Sequence, residues 1–134
     1  MTRILTVASL VLAVALASCG ESSTGPSAGV EVVSVTRVTF ADGFPALLFT
    51  VENRGSTIVE NLTIDVAARR GSVTVDQAVT AVTGLSGGEQ AQAPPAVFAN
   101  LSSQGDYQCY RYRVRTFDRG GETIVDRTSA EVCA

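Results

Sequence analysis

Few residues in this 134-residue sequence can do chemistry: three cysteines (Cys19, Cys109 and Cys133), three tyrosines, thirteen carboxylates and ten cationic side chains, with no histidine. Without an imidazole there is neither a Ser-His-Asp relay nor a histidine-based zinc site. Paired carboxylates could in principle cleave a glycosidic bond. Here Asp42, Glu60, Asp65, Asp76, Glu89 and Asp118 are scattered through turns and outward strand positions, and they read as solvated charge. Gly84 to Gly88 lacks the lysine of a phosphate-cradling loop, and no run has the spacing of a calcium loop. The expectation is a non-catalytic chain with no metal and no cofactor.

The charge pattern with most character is Arg111, Arg113 and Arg115, at every second position. On a strand these share one face, opposite Tyr112 and Val114, with the guanidiniums about 7 Å apart. Such a row could grip carboxylates, phosphates or anionic sugars by paired hydrogen bonds. The plainer reading, which is favoured, is a solvated face balanced by cross-strand acids such as Asp126, because exposed ion pairs are ordinary and weak. Tyr107, Tyr110 and Tyr112 could stack on sugar rings, although core and strand-pairing roles suit the last two better.

The amino-terminal residues set the frame for these groups. Arg3 is followed by an apolar run from Ile4 to Ala17, which is 14 residues long. A helix needs about 20 to cross a bilayer, so a basic start and a short apolar stretch describe an export signal. Its end, Leu16-Ala17-Ser18-Cys19, resembles the bacterial lipobox at all four positions. The resemblance implies a lipoprotein: residues 1–18 removed, diacylglycerol on the Cys19 thiol, and a membrane anchor in the cell envelope. Two or three acyl chains hold firmly where one is marginal. By resemblance to enterobacterial sorting rules, Gly20 in place of aspartate favours the outer membrane in cells that have one. Residues 19–29 then form the lipidated cysteine and a polar linker, Gly20 to Gly29, with almost nothing to bury. One domain, 30–134, follows.

Beyond Arg3, nine arginines face 13 acids, a net charge of −4 that argues against nucleic acid as a partner. With Cys19 assigned to lipid, Cys109 and Cys133 remain as an even pair, and in an oxidising compartment such a pair reads as a disulfide. A free thiol or an intermolecular bridge are the rival readings. Asn61-Leu62-Thr63 and Asn100-Leu101-Ser102 match the glycosylation sequon and read as chance in a bacterial export route.

From Val30 onward Val, Ile, Thr, Phe and Tyr are punctuated by turn residues about every ten positions, the rhythm of an all-β sandwich. Val30 to Phe40 reads as the first strand, and Leu47, Phe49 and Val51 alternate with Leu48, Thr50 and Glu52 in the second. Leu62, Ile64, Val66 and Ala68 point one way in the third. Val73 to Val82 is the fourth, Thr83 to Gln90 a loop, and Ala96 to Leu101 a short edge strand after Pro94-Pro95. Tyr107 to Phe117 and Glu122 to Val132 form a closing hairpin through Asp118-Arg119-Gly120-Gly121. A tight turn there sets Cys109 opposite Ala130, some three positions short of Cys133. A bulge near Cys109 or near the carboxyl end is therefore expected.

Seven strands in about 105 residues match an immunoglobulin-like antiparallel sandwich. Tyr110 to Thr116, with Asp118 and Gly120-Gly121, resembles the penultimate strand and turn of a fibronectin type III domain. Leu48 to Ser56, Val59 to Val66 and Leu85-Ser86-Gly87-Gly88-Glu89 resemble the bacterial cell-adhesion-related domain. In that family an Asn-x-Gly turn follows the second strand and a Gly-Glu loop precedes a later one. Tyr107-Gln108-Cys109 also resembles the tyrosine corner of antibody domains, but the cysteine's available partner is Cys133, so the antibody-type bridge is absent. These resemblances speak to fold, since the architecture hosts many activities. The functional expectation is a lipid-anchored, extracytoplasmic module that binds an envelope or surface protein or has a structural role. A carbohydrate-binding module for envelope polysaccharide is the alternative, and a glycan hydrolase with paired carboxylates the remote one.

Overall fold

The alternation written in the sequence becomes burial in the computed structural model, which describes residues 29–133. The expected signal segment, Cys19 and residues 20–28 lie outside the described residues. In β2 (Pro45–Asn53) Leu47, Phe49 and Val51 are fully buried. In β3 (Val59–Arg70) Leu62, Ile64, Val66 and Ala68 are buried in the expected phase. Each large apolar side chain taken out of water this way contributes about 1.5–3 kcal/mol.

Two antiparallel sheets carry these faces. In the first, β2 lies between β1 (Val30–Thr39) on one side and β5 (Gln90–Gln92) and β6 (Ala96–Val97) on the other. In the second, the order is β4 (Val73–Leu85), β3, β7 (Cys109–Phe117), β8 (Thr123–Thr128), with β9 (Val132–Cys133) also on β7. The chain is an all-β sandwich. Phe49 meets Tyr112 edge-on across the core at 5.3 Å between centroids, and Phe98 meets Tyr107 at the same distance.

Among the described residues nine strands stand where seven were expected, and the differences are local. The expected loop 83–90 is strand as far as Leu85, because Gly84 adopts a positive φ of 66° and bends the strand without ending it. The expected edge strand 96–101 pairs only at Ala96 and Val97, and Phe98 and Leu101 turn into the core instead. The last strand is interrupted at residues 129–131.

That interruption helps resolve the mismatch between Cys109 and Cys133. The hairpin closes on Phe117 and Thr123, one residue wider than the tight turn expected. A bulge between Thr116 and Phe117 absorbs a second residue. Between the pairs Arg113–Thr128 and Tyr110–Val132, β7 advances three positions and its partner four, which absorbs the third. Cys109 thus lies directly opposite Cys133, with Cα atoms 4.1 Å apart, and the two are disulfide-bonded.

At the end of the sandwich where the chain enters, the expected turn at residues 53–56 is organised by one buried amide. Asn53 is 1% exposed, yet both polar atoms of its side chain are bonded. Its Nδ2 donates to the Thr57 carbonyl at 2.8 Å and to the Leu85 carbonyl at 3.0 Å, while Oδ1 accepts from Gly55 N at 3.0 Å. Its backbone exchanges bonds with the loop after β4: Asn53 N donates to Glu89 O and Gly88 N donates to Asn53 O. The Asn-x-Gly turn and the Gly-Glu loop therefore meet in space and tie the two sheets together. Their contact needs Gly87, where a Cβ would sit 2.9 Å from the Gly55 carbonyl oxygen.

Candidate functional site

Strand β7 turns Tyr110, Tyr112, Val114 and Thr116 toward the core and Cys109, Arg111, Arg113 and Arg115 toward solvent. The three arginines therefore share the outer face of the five-stranded sheet, flanked by Asp65, Ala67 and Thr63 on β3 and by Asp126 and Thr128 on β8. An open hollow of about 430 Å³ runs across this face, bordered by Asp65, Ala67, Gln77, Val79, Arg111 and Arg113. The disulfide lies on the same face, at the end where β7 begins.

The arginines are not equivalent. Arg113 grips Asp126 with two hydrogen bonds, Nε to Oδ1 at 2.7 Å and Nη2 to Oδ2 at 2.5 Å. The hydrogen bonds from Arg113 hold the Asp126 carboxyl below the usual carboxylate range, and Asp126 in turn raises the Arg113 guanidinium. Arg115 reaches Asp65 at 2.6 Å and lies over the Phe117 ring. The balancing acids expected from strand pairing are thus present, Asp126 from the hairpin and Asp65 from β3. Arg111 differs. It is exposed, its β3 neighbour is Ala67, and among the described residues it has no carboxylate partner. The break between β8 and β9 falls opposite it, so no strand residue on that side supplies one.

The tyrosines form no surface platform. Tyr107 and Tyr110 are 2% and 6% exposed, and Tyr112 packs against Phe49. Burial raises all three phenols above their ordinary value. The carboxylates have other employment too. Asp76, expected as solvated charge, is instead buried, and it accepts from the backbone and side-chain nitrogens of Asn100 at 3.0 and 2.9 Å. Glu60 and Asp118 border a second hollow of about 360 Å³ with Ile58, Phe117 and Ile124. Glu60 is paired with Arg119 at 3.2 Å, and Asp118 Oδ1 accepts from Glu122 N in the hairpin turn. Among the described residues no cluster of three or more His, Cys, Asp or Glu side chains could hold a metal ion.

Two cations escaped the sequence reading. Arg37 faces Leu47 on the inner side of the first sheet, and its guanidinium sits 4.6 Å from the Tyr107 ring centroid and 5.5 Å from that of Tyr110. It donates to the Gln108 carbonyl at 3.1 Å. Arg127 stands opposite Val114 and donates to the Val30 carbonyl, bridging the open side between the sheets. A signal was present: each is in phase with a core-facing valine, Val35 or Val125, at an alternation position that should be apolar.

The sequence matches no family model and no curated protein. Among solved structures it is similar to beta-glucosidase 3B from Thermotoga neapolitana in complex with alpha-D-glucose, at 16% identity and a TM-score of 0.38. The match covers 78% of this chain and 17% of that one.

Proposed function

We propose that this chain is a lipid-anchored, non-catalytic module of the bacterial cell envelope, whose sandwich binds another envelope or surface protein through the outer face of the five-stranded sheet. Two observations support the anchor. Leu16-Ala17-Ser18-Cys19 has the lipobox pattern, and Cys109 and Cys133 are bonded to each other, which leaves the Cys19 thiol without an internal partner. The binding face rests on one observation: Arg111 is the arginine of β7 that no neighbouring carboxylate neutralises, at the border of an open hollow. A guanidinium with free donors recognises a carboxylate in two-point geometry, so the partner presents an acidic side chain or chain terminus there. Tyr107, Tyr110 and Tyr112 pack inward and do not themselves form a stacking platform for polysaccharide.

The test is crosslinking capture from intact cells that export the full chain, grown with a clickable fatty acid. Wild type should carry label and capture a specific protein. Cys19→Ala should lose the label, and Arg111→Glu should keep the label and lose the captured protein. Label retained in Cys19→Ala would remove the anchor from the reading. Equal capture by Arg111→Glu would return that arginine to plain surface charge.

A further inference from the structure

The four sheet edges of this sandwich are guarded unequally. Edge β1 carries a bulge between Val32 and Ser34 and is bridged by Arg127. Edge β5 is three residues long and soon followed by Pro94 and Pro95. Edge β8 is six residues long and carries Asp126 and Arg127. These are the usual devices against pairing with another strand: bulges, prolines, charge and shortness. Edge β4 has a bulge at its start, between Thr74 and Asp76, but none of these devices over Gln77 to Leu85. Across its 13 residues the one charged side chain is Asp76, which is buried and held by Asn100.

Hydrogen-bond alternation shows which groups this edge offers. Ser129 bonds both the N–H and the carbonyl of Tyr112, so those groups point toward β8 and away from Val66 on β3. Val66 therefore turns its own groups toward Ala78 on β4, and the alternation leaves those of Gln77, Val79, Ala81 and Thr83 facing outward. The Gln77 N–H bond to the Asp76 carboxylate, instead of to β3, agrees with this phase. The side chains of the same four residues are exposed and uncharged, with Val79 63% accessible.

We propose that a second copy of this chain pairs antiparallel along this edge, joining the two five-stranded sheets into one across a two-fold axis. The complementarity is internal to the strand. With Gln77 of one copy opposite Thr83 of the other, and Val79 opposite Ala81, outward-facing groups meet outward-facing groups at every rung. No charge meets a like charge, and Val79 packs on Ala81. The pairing does not depend on Cys19 carrying lipid.

The experiment places a photo-crosslinking amino acid at Thr83, or at Ile124 on the opposite edge, in the full chain in exporting cells. Illumination should give a band of twice the monomer mass from position 83 and none from position 124. Ala81→Lys should weaken the band from position 83 at least tenfold, and Val79→Lys should do the same. Both side chains point to solvent, and an intact Cys109–Cys133 bond on non-reducing gels reports that the variants fold. Three results would overturn the proposal: no dimer band from position 83, a band undiminished in both lysine variants, or a crosslinked partner of a different mass.

Discussion

Asn53→Ala removes a side chain that holds three backbone groups at once, and the cost can be worked from its partners. The Leu85 carbonyl is buried, so losing its donor strands it without water and costs about 1–2 kcal/mol. The Thr57 carbonyl and Gly55 N–H are partly exposed and can recruit water, at about 0.5–1 kcal/mol each. The sum is about 3 kcal/mol, which at a urea slope of about 1.5 kcal/mol/M moves the unfolding midpoint down by about 2 M. Urea titration followed by circular dichroism measures it. Asn53→Asp sharpens the test, because it puts an acceptor oxygen where the amide nitrogen now faces two carbonyls at 2.8 and 3.0 Å. Protonation would restore one donor, so the folded-state pKa of that aspartate is raised. The penalty is therefore smaller below about pH 4 and grows as pH rises through the folded value. The gap between wild type and Asn53→Asp should widen from pH 4 to pH 7. A midpoint shift under about 0.3 M for Asn53→Ala, or a gap that stays constant with pH, would refute the assignment.

Two further outcomes follow from the second sheet. Replacing both Cys109 and Cys133 by alanine opens a loop of about 25 residues and should cost about 3.5 kcal/mol in the chain-entropy model, lowering the thermal midpoint by on the order of 15 °C; an unchanged midpoint in calorimetry would contradict this. By NMR titration the Asp126 carboxyl should have its midpoint below that of an ordinary aspartate, so any contribution to stability is present above the unfolded value of about 3.9 and lost as pH falls through the folded one. In Arg113→Ala that midpoint should climb back, and a midpoint indifferent to the substitution would show that the grip does not persist in solution.

What was legible in the sequence was local. Leu62, Ile64, Val66 and Ala68 announced a strand and its buried face because a period of two needs only one strand to show itself. The short strand Gln90–Gln92 carries too few residues for any period, and the loop expected from Thr83 begins only after Leu85, because Gly84 bends β4 without ending it. The arginine face was visible as a spacing, but the distinction among its members was not. Asp65 lies 50 residues before Arg115, and its arrival beside that side chain depends on the pairing of β3 with β7. Arg111 stands apart because of a strand break that local propensity at residues 129–131 did not reveal.

The way the chain enters and leaves the sandwich also decides how it bears load. Gly29 leads directly into β1, whose rungs to β2 run from Val30 to Thr39. A pull on residue 29 along the strand axis strains those rungs together, as in a lap joint under shear, and does not peel them one after another. At the other terminus, tension arriving at Cys133 crosses the covalent bond to β7 and bypasses β8 altogether. In a domain stretched between these points the rungs between β1 and β2 bear the load together, with the Arg127–Val30 and Arg37–Gln108 bonds tying the same strand to the second sheet.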